Sequence, residues 1–595
     1  MAVEQVHSSI LGLDIGSITT SVSLFGVFNG KFQLQNIGTD LTSLGAGQVL
    51  SAGVIGAIQD LQKQADRVLL SPNPQRHVEV DQVRQSVDQI SLAASFGPDI
   101  DAVLLGLTSH GSLFAGESLI RSLPMRLAGS FGLADLQDNF GVLDQLIHLH
   151  PKIMILTGGE NMGAEASIQQ WVEMVRLYCA LVSSSLKPRL FYAGNPSLQN
   201  LVQRHLEPVG GLQILPNLQP AFGELDIVPA QAAVEQSIIQ AWQGMIPGFS
   251  DLVNAAGKSV RTKAFLQDRM IRYLSKAKQA QGGDRPQRGV LAVDLGARRS
   301  VISAAISSQT GTVVQPTSME VSDLTQTPTV SLVRQWTAAS VSLSDVHQYL
   351  ATQILMPARI PETFNDLAIS QAEARVRLQG LVKELSFHHP WFSQHASSGI
   401  PGLFEPIILS GRVLTHAPSP GQAMLMMLDG FQPRGISTIV LDRHHLLPLL
   451  GLLGEVAPLL PVHLLASDVF TNLGSVICLD SPAPNGNLLL SLKVQAESIK
   501  PYSFEIFKGD LIRLVIPVGD SVILECSPEE NTDIGLGGPG IGGQIKVTSG
   551  LMGVVIDARG RPIDLPEDDA MRVDKLQGWL RDLGGLDVID SRGDV

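Results

Sequence analysis

The segment "LGLDIGSITTSVSLFGVFNGKF", Leu11 to Phe32, decides the fold, and its opening returns as "LAVDLGARRSVISAAI" from Leu291. An apolar run ending at Asp14, a bend at Gly16 and a hydroxyl-rich restart predict two antiparallel strands. "NGK" then predicts a tight hairpin into a third strand, "KFQLQNIG", so Ser9 to Gly38 is read as three consecutive strands. Glycine in such a bend lets backbone N–H groups approach phosphate oxygens with no Cβ in the way. Ser17, Thr19 and Thr20 add hydroxyl donors, and Asp14 is placed to hold a hydrated Mg²⁺ that screens phosphate charge. Alone, D-x-G-S is also an ordinary turn at a strand end. The pairing gives it weight, because Asp294 and Gly296 open the second half with the same strand and bend.

At 595 residues the chain exceeds one hydrophobic core, and size scaling predicts about three or four packed units. Hydrophobic residues make up 44% and charged residues 16%, which excludes a disordered chain. A net charge of −14 without any dense Lys/Arg run argues against nucleic acid as a partner. Cys179, Cys478 and Cys526 are far apart and form no C-x-x-C pair, so neither a disulfide framework nor a zinc site is expected, and a reducing cytoplasm is the expected location. The N-terminus lacks the basic start and long apolar run of a secretory signal. In the most apolar stretch, Leu446 to Ala466, Glu455, His463 and three prolines interrupt any membrane span, so no membrane is expected as a partner.

"DAVLLGLT", "PKIMILTGGENMGAEASIQQWVEMVRLYCALV" and "PRLFYAGNPSLQNLVQRHL" alternate strand and helix, the rhythm of parallel α/β packing. Ala230 to Ala280 is expected to be mostly helical, and "QAQGGDRPQRG" marks a domain boundary. In the second half, helices are expected through much of Leu343 to Phe387, and "FEPIILSGRVLTHAPSPGQAMLMML" gives strand, glycine turn and helix. "MILTGG" at Met154 to Gly159 resembles "IILSGR" at Ile407 to Arg412, a second pair supporting internal duplication. Beyond Asp480 short alternating strands predict a separate β domain, followed by a capped helix in "PEDDAMRVDKLQGWLRDLGG" and a loose tail. The expected division is 1–285 for a first lobe with a helical insertion, 286–480 for a second lobe, 481–565 for the β-rich domain, and 566–595 for the helix and tail.

Over residues 8 to 480 this paired pattern resembles the actin, sugar-kinase and heat-shock ATPase superfamily. The resemblance implies an α/β chain with a duplicated actin-like (ribonuclease H-like) two-lobed ATPase fold and an additional C-terminal β-rich domain. It implies that Asp14, Gly16, Ser17, Thr19 and Thr20 match the first phosphate loop and Asp294 with Gly296 the second. Ser410 and Gly411 match the adenosine turn, with Thr157, Gly158, Gly159 and Glu160 as the other glycine turn of the nucleotide site. ATP would be the cofactor, with Mg²⁺ held through water by Asp14 and Asp294. In the second loop Ala297, Arg298, Arg299 and Ser300 stand where the superfamily carries glycine and a threonine pair, so that bend is expected to have lost its hydroxyl pair. Arginines bind phosphate by charge-assisted bonds, or simply solvate a turn, and nucleotide binding follows more directly than hydrolysis.

Within that superfamily the chain is similar to the glutamate mutase L family, the MutL-type accessory proteins of methylaspartate mutase. "PKIMILTGGENMGAE", "RLFYAGN", "VLTHAPSPGQAMLMMLDGFQPRGISTIVLDRHHLLPLLG" and "TDIGLGGPGIGGQIKVTSGLMGVVIDARGRPIDLP" carry the similarity. It implies an ATP-dependent accessory or reactivating chaperone of a cobalamin-dependent mutase, with a mutase subunit as protein partner. Two other functions stay open, a pseudo-ATPase scaffold and a small-molecule kinase, the latter needing a general base that no residue identifies. No D-x-H-x-x-G run is present, so the corrinoid itself is not an expected ligand.

Several other groupings have plain readings. Asp442, His444 and His445 in "DRHHLLP" are expected to cap a strand-to-helix connection rather than hold metal, and His388 and His389 to pack beside an aromatic. "DIGLGGPGIGGQ" lacks the lysine of a P-loop and is expected to be a loop of the β domain. Met424, Met426 and Met427 are expected in the core.

Overall fold

The computed structural model describes residues 9–44, 49–65, 68–69, 86–281, 288–317, 327–393 and 399–584. The charged core of the "QAQGGDRPQRG" boundary and the C-terminal tail lie outside the described residues. The chain divides into two compact units, one comprising Met1–Gln267, Thr312–Val314 and Pro448–Pro461, the other Asp268–Gly311, Gln315–Leu447 and Val462–Val595.

The first unit begins with β1 (Ser9–Ile15), β2 (Thr19–Phe28) and β3 (Lys31–Leu41), a meander whose hairpin places Asn29 and Gly30 at φ 50° and 76°. Positive φ at both central residues is what a two-residue hairpin needs to match the strand twist, which is why N-G marks it. The next strand, β4 (Gln89–Ala94), pairs with β1 in parallel and sets Asp14 opposite Ala93. The chain then leaves this sheet. β5 (Ile100–Leu105), β6 (Met125–Phe131), β7 (Ile153–Gly158), β8 (Arg189–Gly194) and β9 (Leu212–Ile214) form a second, wholly parallel sheet in the order β6-β5-β7-β8-β9. Its central strands β5, β7 and β8 are mostly apolar and buried because a parallel sheet is covered on both faces by its crossover helices, while the edge strands β6 and β9 are partly exposed. Trp171, Tyr178 and Tyr192 lie fully buried in its core. After these strands β10 (Val260–Thr262) pairs in parallel with β4, completing the order β10-β4-β1-β2-β3. The helices expected over Ala230 to Ala280 are present, at Val228–Met245, Phe249–Ala256 and Lys263–Gln281. The insertion in the first lobe is therefore a full α/β sheet as well as helices, which corrects the expectation of a helical insertion.

The second unit repeats the plan. β11 (Gly289–Leu295), β12 (Arg299–Ile306), β13 (Gln309–Pro316), β14 (Phe404–Ser410) and β15 (Gly435–Leu441) run in the order β13-β12-β11-β14-β15. β11 is antiparallel to β12 and parallel to β14, with Asp294 opposite Ser410. Each unit thus carries one copy of the ribonuclease H-like sheet, and the chain has the duplicated actin-like α/β fold. The strand order also corrects one of the sequence pairs. β14 occupies the place of β4, beside the D-x-G strand, whereas "MILTGG" is β7 of the inserted sheet.

C-terminal strands extend this unit instead of standing apart from it. β16 (Thr471–Cys478) follows β15 in the sheet, and of the later strands β17 (Leu488–Ala496), β18 (Ile499–Phe507), β19 (Leu511–Leu514), β20 (Ser521–Pro528), β21 (Gly543–Thr548) and β22 (Val554–Asp557), two, β22 and β19, rejoin it. The other four form the sheet β18-β17-β20-β21, whose core residues Leu490, Leu492 and Leu524 cluster with Ile436 and Ile477 of the lobe. The expected additional C-terminal β-rich part is present as this sheet, and it shares one core with the lobe. The last helix, Asp569–Gly584, is tied in as well: the Ser419 hydroxyl donates to the Gly584 carbonyl at 2.7 Å.

A buried ionic clasp joins these late segments to the lobe. Arg559 donates to Asp557 at 2.9 Å and to Asp429 at 2.8 Å, Arg375 donates to Asp429 at 2.7 Å, and Arg561 donates to Asp557 at 2.8 Å. The Arg559 guanidinium also lies 4.4 Å from the ring centroid of Trp579. Burial alone would raise the Asp557 carboxyl, but the two guanidiniums hold it well below the usual carboxylate range. Among the described residues no helix is long and apolar enough to cross a membrane.

Candidate functional sites at the paired glycine bends

In the first bend Asp14 sits one residue from the end of β1, with 7% of its surface exposed. The Gly16 N–H donates to the Thr19 carbonyl at 3.0 Å, and a Cβ on Gly16 would come within 2.8 Å of that oxygen, so glycine is required. Thr42, just past β3, donates its hydroxyl to the Gly16 carbonyl at 2.9 Å and lies 2.9 Å from the Thr20 hydroxyl. Its N–H donates to the Ile18 carbonyl at 2.8 Å.

The second bend repeats this arrangement position by position. A Cβ on Gly296 would meet the Arg299 carbonyl at 2.4 Å. Thr317, just past β13, donates its hydroxyl to the Gly296 carbonyl at 3.1 Å, lies 3.4 Å from the Ser300 hydroxyl, and donates its N–H to Arg298 at 2.7 Å. Ser300 and Thr317 thus stand where Thr20 and Thr42 stand in the first bend. The two hydroxyls behind the bend remain, while Ser17 and Thr19 at its mouth become Ala297 and Arg299, so the second bend no longer carries an adjacent hydroxyl pair. Arg298 is exposed and Arg299 half-buried.

Each aspartate has a cationic side chain of its own unit beside it. Lys263, immediately after β10, reaches across β4 to place its ammonium 3.1 Å from Asp14 Oδ2, and both side chains are about nine-tenths buried. Asp14 Oδ1 has no hydrogen-bond partner. Arg377, from the helix Phe364–His388, donates to the Gly296 carbonyl at 2.5 Å, to Ser300 at 2.6 Å and to Thr317 at 2.9 Å. Burial lowers the Arg377 pKa, opposed by the carboxylates of Glu373 and Asp294. The orphaned Oδ1 of Asp14 fits a hydrated divalent cation, and bends stripped of Cβ atoms fit phosphate oxygens. With such a group bound, the metal would screen phosphate charge; Lys263 and Arg377 supply fixed positive charge at the same two carboxylates.

Beside β10 lies a second ionisable group. Glu235, wholly buried on the helix Val228–Met245, accepts the Thr262 N–H at 2.6 Å, while its other oxygen has no hydrogen-bond partner and lies 3.9 Å from Arg261. Burial pushes its pKa up to about 7 despite the Thr262 and Arg261 interactions.

The other expected site residues divide between two places. Ser410 and Gly411 end β14 against the second bend: Ser410 faces Asp294 in register, and Gly411, at φ 100°, backs onto Leu295, where a Cβ would come within 2.5 Å of backbone. The Ser410 hydroxyl lies 2.8 Å from His445 Nδ1. Thr157, Gly158, Gly159 and Glu160 lie instead at the carboxyl end of β7, in a different sheet from Asp14 and Gly16. There Thr157 donates to the Leu105 carbonyl at 3.2 Å and Glu160 is exposed, so the topological basis for joining them to the first bend is gone. Asp442 caps the helix Leu446–Val456, accepting the N–H groups of Leu446 and Leu447 at 2.9 and 2.8 Å, as expected. Met424, Met426 and Met427 are fully buried. Aligning the third strand of each half would have exposed Thr42 and Thr317; no local signal announces Lys263 or Arg377.

The sequence matches the MutL protein family over residues 10–469. The chain belongs to that family, the glutamate mutase L proteins. No curated protein matches this MutL family member. Among solved structures it is similar to a xylulose kinase from Bifidobacterium adolescentis, at 11% identity, 78% of this chain and 94% of the other covered, and a TM-score of 0.25. It is also similar to a glycerol dehydratase reactivase, at 10% identity, coverage of 57% and 76%, and a TM-score of 0.20. An exopolyphosphatase from Cytophaga hutchinsonii is similar at 9% identity, coverage of 77% and 90%, and a TM-score of 0.18. The fold of this MutL protein rests on its strand order, not on these distant likenesses.

Proposed function

We propose that this MutL protein is an ATP-binding, actin-like accessory protein that reactivates a cobalamin-dependent mutase, working in the cytoplasm with a mutase subunit as partner. The observation that carries nucleotide binding is the duplicated bend, glycine and two hydroxyls kept in the same geometry in both units. Two turns under no common constraint would not keep a threonine from beyond the third strand locked onto the glycine carbonyl. In the first unit phosphate would lie against the Gly16 bend, with Ser17 and Thr19 as donors, Thr20 bracing the bend from behind through Thr42, and Mg²⁺ held through water at Asp14; in the second unit the Gly296 bend, Asp294 and the Ser410–Gly411 turn would play the matching parts for phosphate, Mg²⁺ and adenosine. Family membership supports the accessory role. Nucleotide state would bias the conformation of the chain and so its affinity for the enzyme.

A pseudo-ATPase is the second reading, favoured by Ala297 and Arg299 at the mouth of the second bend and by the fixed cations Lys263 and Arg377. Calorimetry with Mg-ATP on the wild type and Asp14→Ala tests binding, and absence of heat from the wild type sinks it. Steady-state phosphate release then separates an ATPase from a pseudo-ATPase.

A further inference from the structure

The inserted sheet has the doubly wound order in which the second strand lies to one side of the first and the later strands to the other, so its topology switches between β5 and β7. In sheets of this kind the loops at the carboxyl edge by the switch carry recognition. These loops are joined in two pairs by hydrogen bonds, and the pairs meet where a Cβ on Gly111 would come within 3.2 Å of the Gln219 side chain. Leu133 donates to the Leu107 carbonyl at 2.8 Å, Asn161 to Pro220 at 3.1 Å, and Asn217 to Gly159 at 3.1 Å. The three most exposed large apolar side chains among the described residues all stand on this edge: Phe140 at 88%, Met162 at 89% and Phe222 at 88%. The charge on the same loops is one-sided. Asp135, Asp138, Glu160, Glu165, Glu224 and Asp226 are all exposed, and residues 106–111, 132–138, 159–165, 195–198 and 215–227 contain no lysine or arginine. Crowding is felt locally, since partial burial and the Glu224 carboxylate raise the Asp226 pKa.

We propose that this carboxyl edge is the chain's protein-docking surface, and that its partner presents apolar sockets framed by lysine and arginine. Exposed apolar anchors among loops of one charge sign are what a partner surface of the opposite sign buries and steers onto. The acids decide between classes of partner. They repel anionic lipid headgroups and nucleic-acid phosphates, and a second copy would bring the same acids face to face. Naming the mutase as that partner rests on the accessory reading above.

The test uses the full-length chain and the purified, cobalamin-loaded mutase. Phe140→Ser/Met162→Ser/Phe222→Ser is compared by calorimetry with the wild type and with Leu355→Ser/Met356→Ser, an exposed apolar control far along the chain. The triple variant is expected to lose at least about tenfold in affinity, as removal of central anchors does. The control stays within about twofold, as distant surface changes do. Raising salt from about 50 to about 300 mM is expected to weaken the wild-type complex. Glu160→Gln/Glu165→Gln/Glu224→Gln, which removes no packing, should slow association and keeps the test decisive if the triple variant misfolds. A complex that forms equally well with both variant sets, or tightens with salt, overturns this surface while leaving the accessory role intact. No complex with wild type overturns both. Saturable binding to phosphatidylglycerol vesicles that the triple variant abolishes overturns the protein partner in favour of a membrane.

Discussion

Glu235→Gln isolates one buried carboxylate from everything around it. In the wild type one oxygen accepts the Thr262 N–H at 2.6 Å and the other has no hydrogen-bond partner. Glutamine keeps the acceptor and offers an N–H₂ at the orphaned position, one helical turn from Gln231, whose Oε1 is itself buried and unpartnered. The native pKa of about 7 lies above the ordinary 4.5, so the folded state holds the proton more tightly than the unfolded chain. That stabilisation is complete below pH 4.5 and drains away as pH rises to 7, beyond which the ionised carboxylate sits in its buried place at constant cost. At 1.36 kcal/mol per unit, the shift costs about 3 kcal/mol above pH 7, of which about 2.5 kcal/mol falls between pH 5 and pH 8. For a unit of this size that corresponds to about 5 °C in melting temperature. Scanning calorimetry of both proteins from pH 5 to pH 8 should show the variant gaining on the wild type by about that amount across the range, in the transition of the first unit. Parallel melting curves, with a difference that ignores pH, would refute the reasoning and place the Glu235 proton equilibrium in the ordinary carboxylate range.

Lys263→Met removes the ammonium from Asp14. Calorimetry with ADP should show wild-type affinity falling less than about tenfold when EDTA replaces Mg²⁺ and the variant falling further, because the lysine holds part of the charge a metal would otherwise supply; equal losses would count against that role. Arg559→Met leaves Asp557 and Asp429 buried beside fewer partners, and should destabilise the second unit by about 3 kcal/mol or more in urea unfolding. A shift below about 1 kcal/mol would mean that Arg375 and Arg561 suffice.

The repeated strand, bend and strand were legible because a glycine bend and an N-G hairpin are local chemistry, set by φ and by the absence of a Cβ. Which sheet a strand joins is not local. "MILTGG" and "IILSGR" look alike because both are buried parallel strands that end in a tight turn, yet one lies beside its D-x-G strand and the other in a different sheet. The true partner of β1 is "QISLAA", whose letters carry no glycine turn. Lys263 lies 249 residues from Asp14, and Arg377 lies 81 residues from Gly296, so no window of sequence contains either pair. The late strands were legible as strands, but β22 returns to the lobe by pairing with β16 and β19 by pairing with β22, a choice made by edge hydrogen bonds rather than by composition.

The detour between β4 and β10 also sets an order of events during synthesis. All five strands of the inserted sheet are contiguous in the chain and can pair as they emerge, each with a partner already made or soon to follow. β10, which completes the parent sheet, comes only after them, and the lysine that neutralises Asp14 is the residue immediately behind it. Until then β1 holds its aspartate without its cation, so the first bend matures after the inserted sheet and the docking surface proposed on it have already closed.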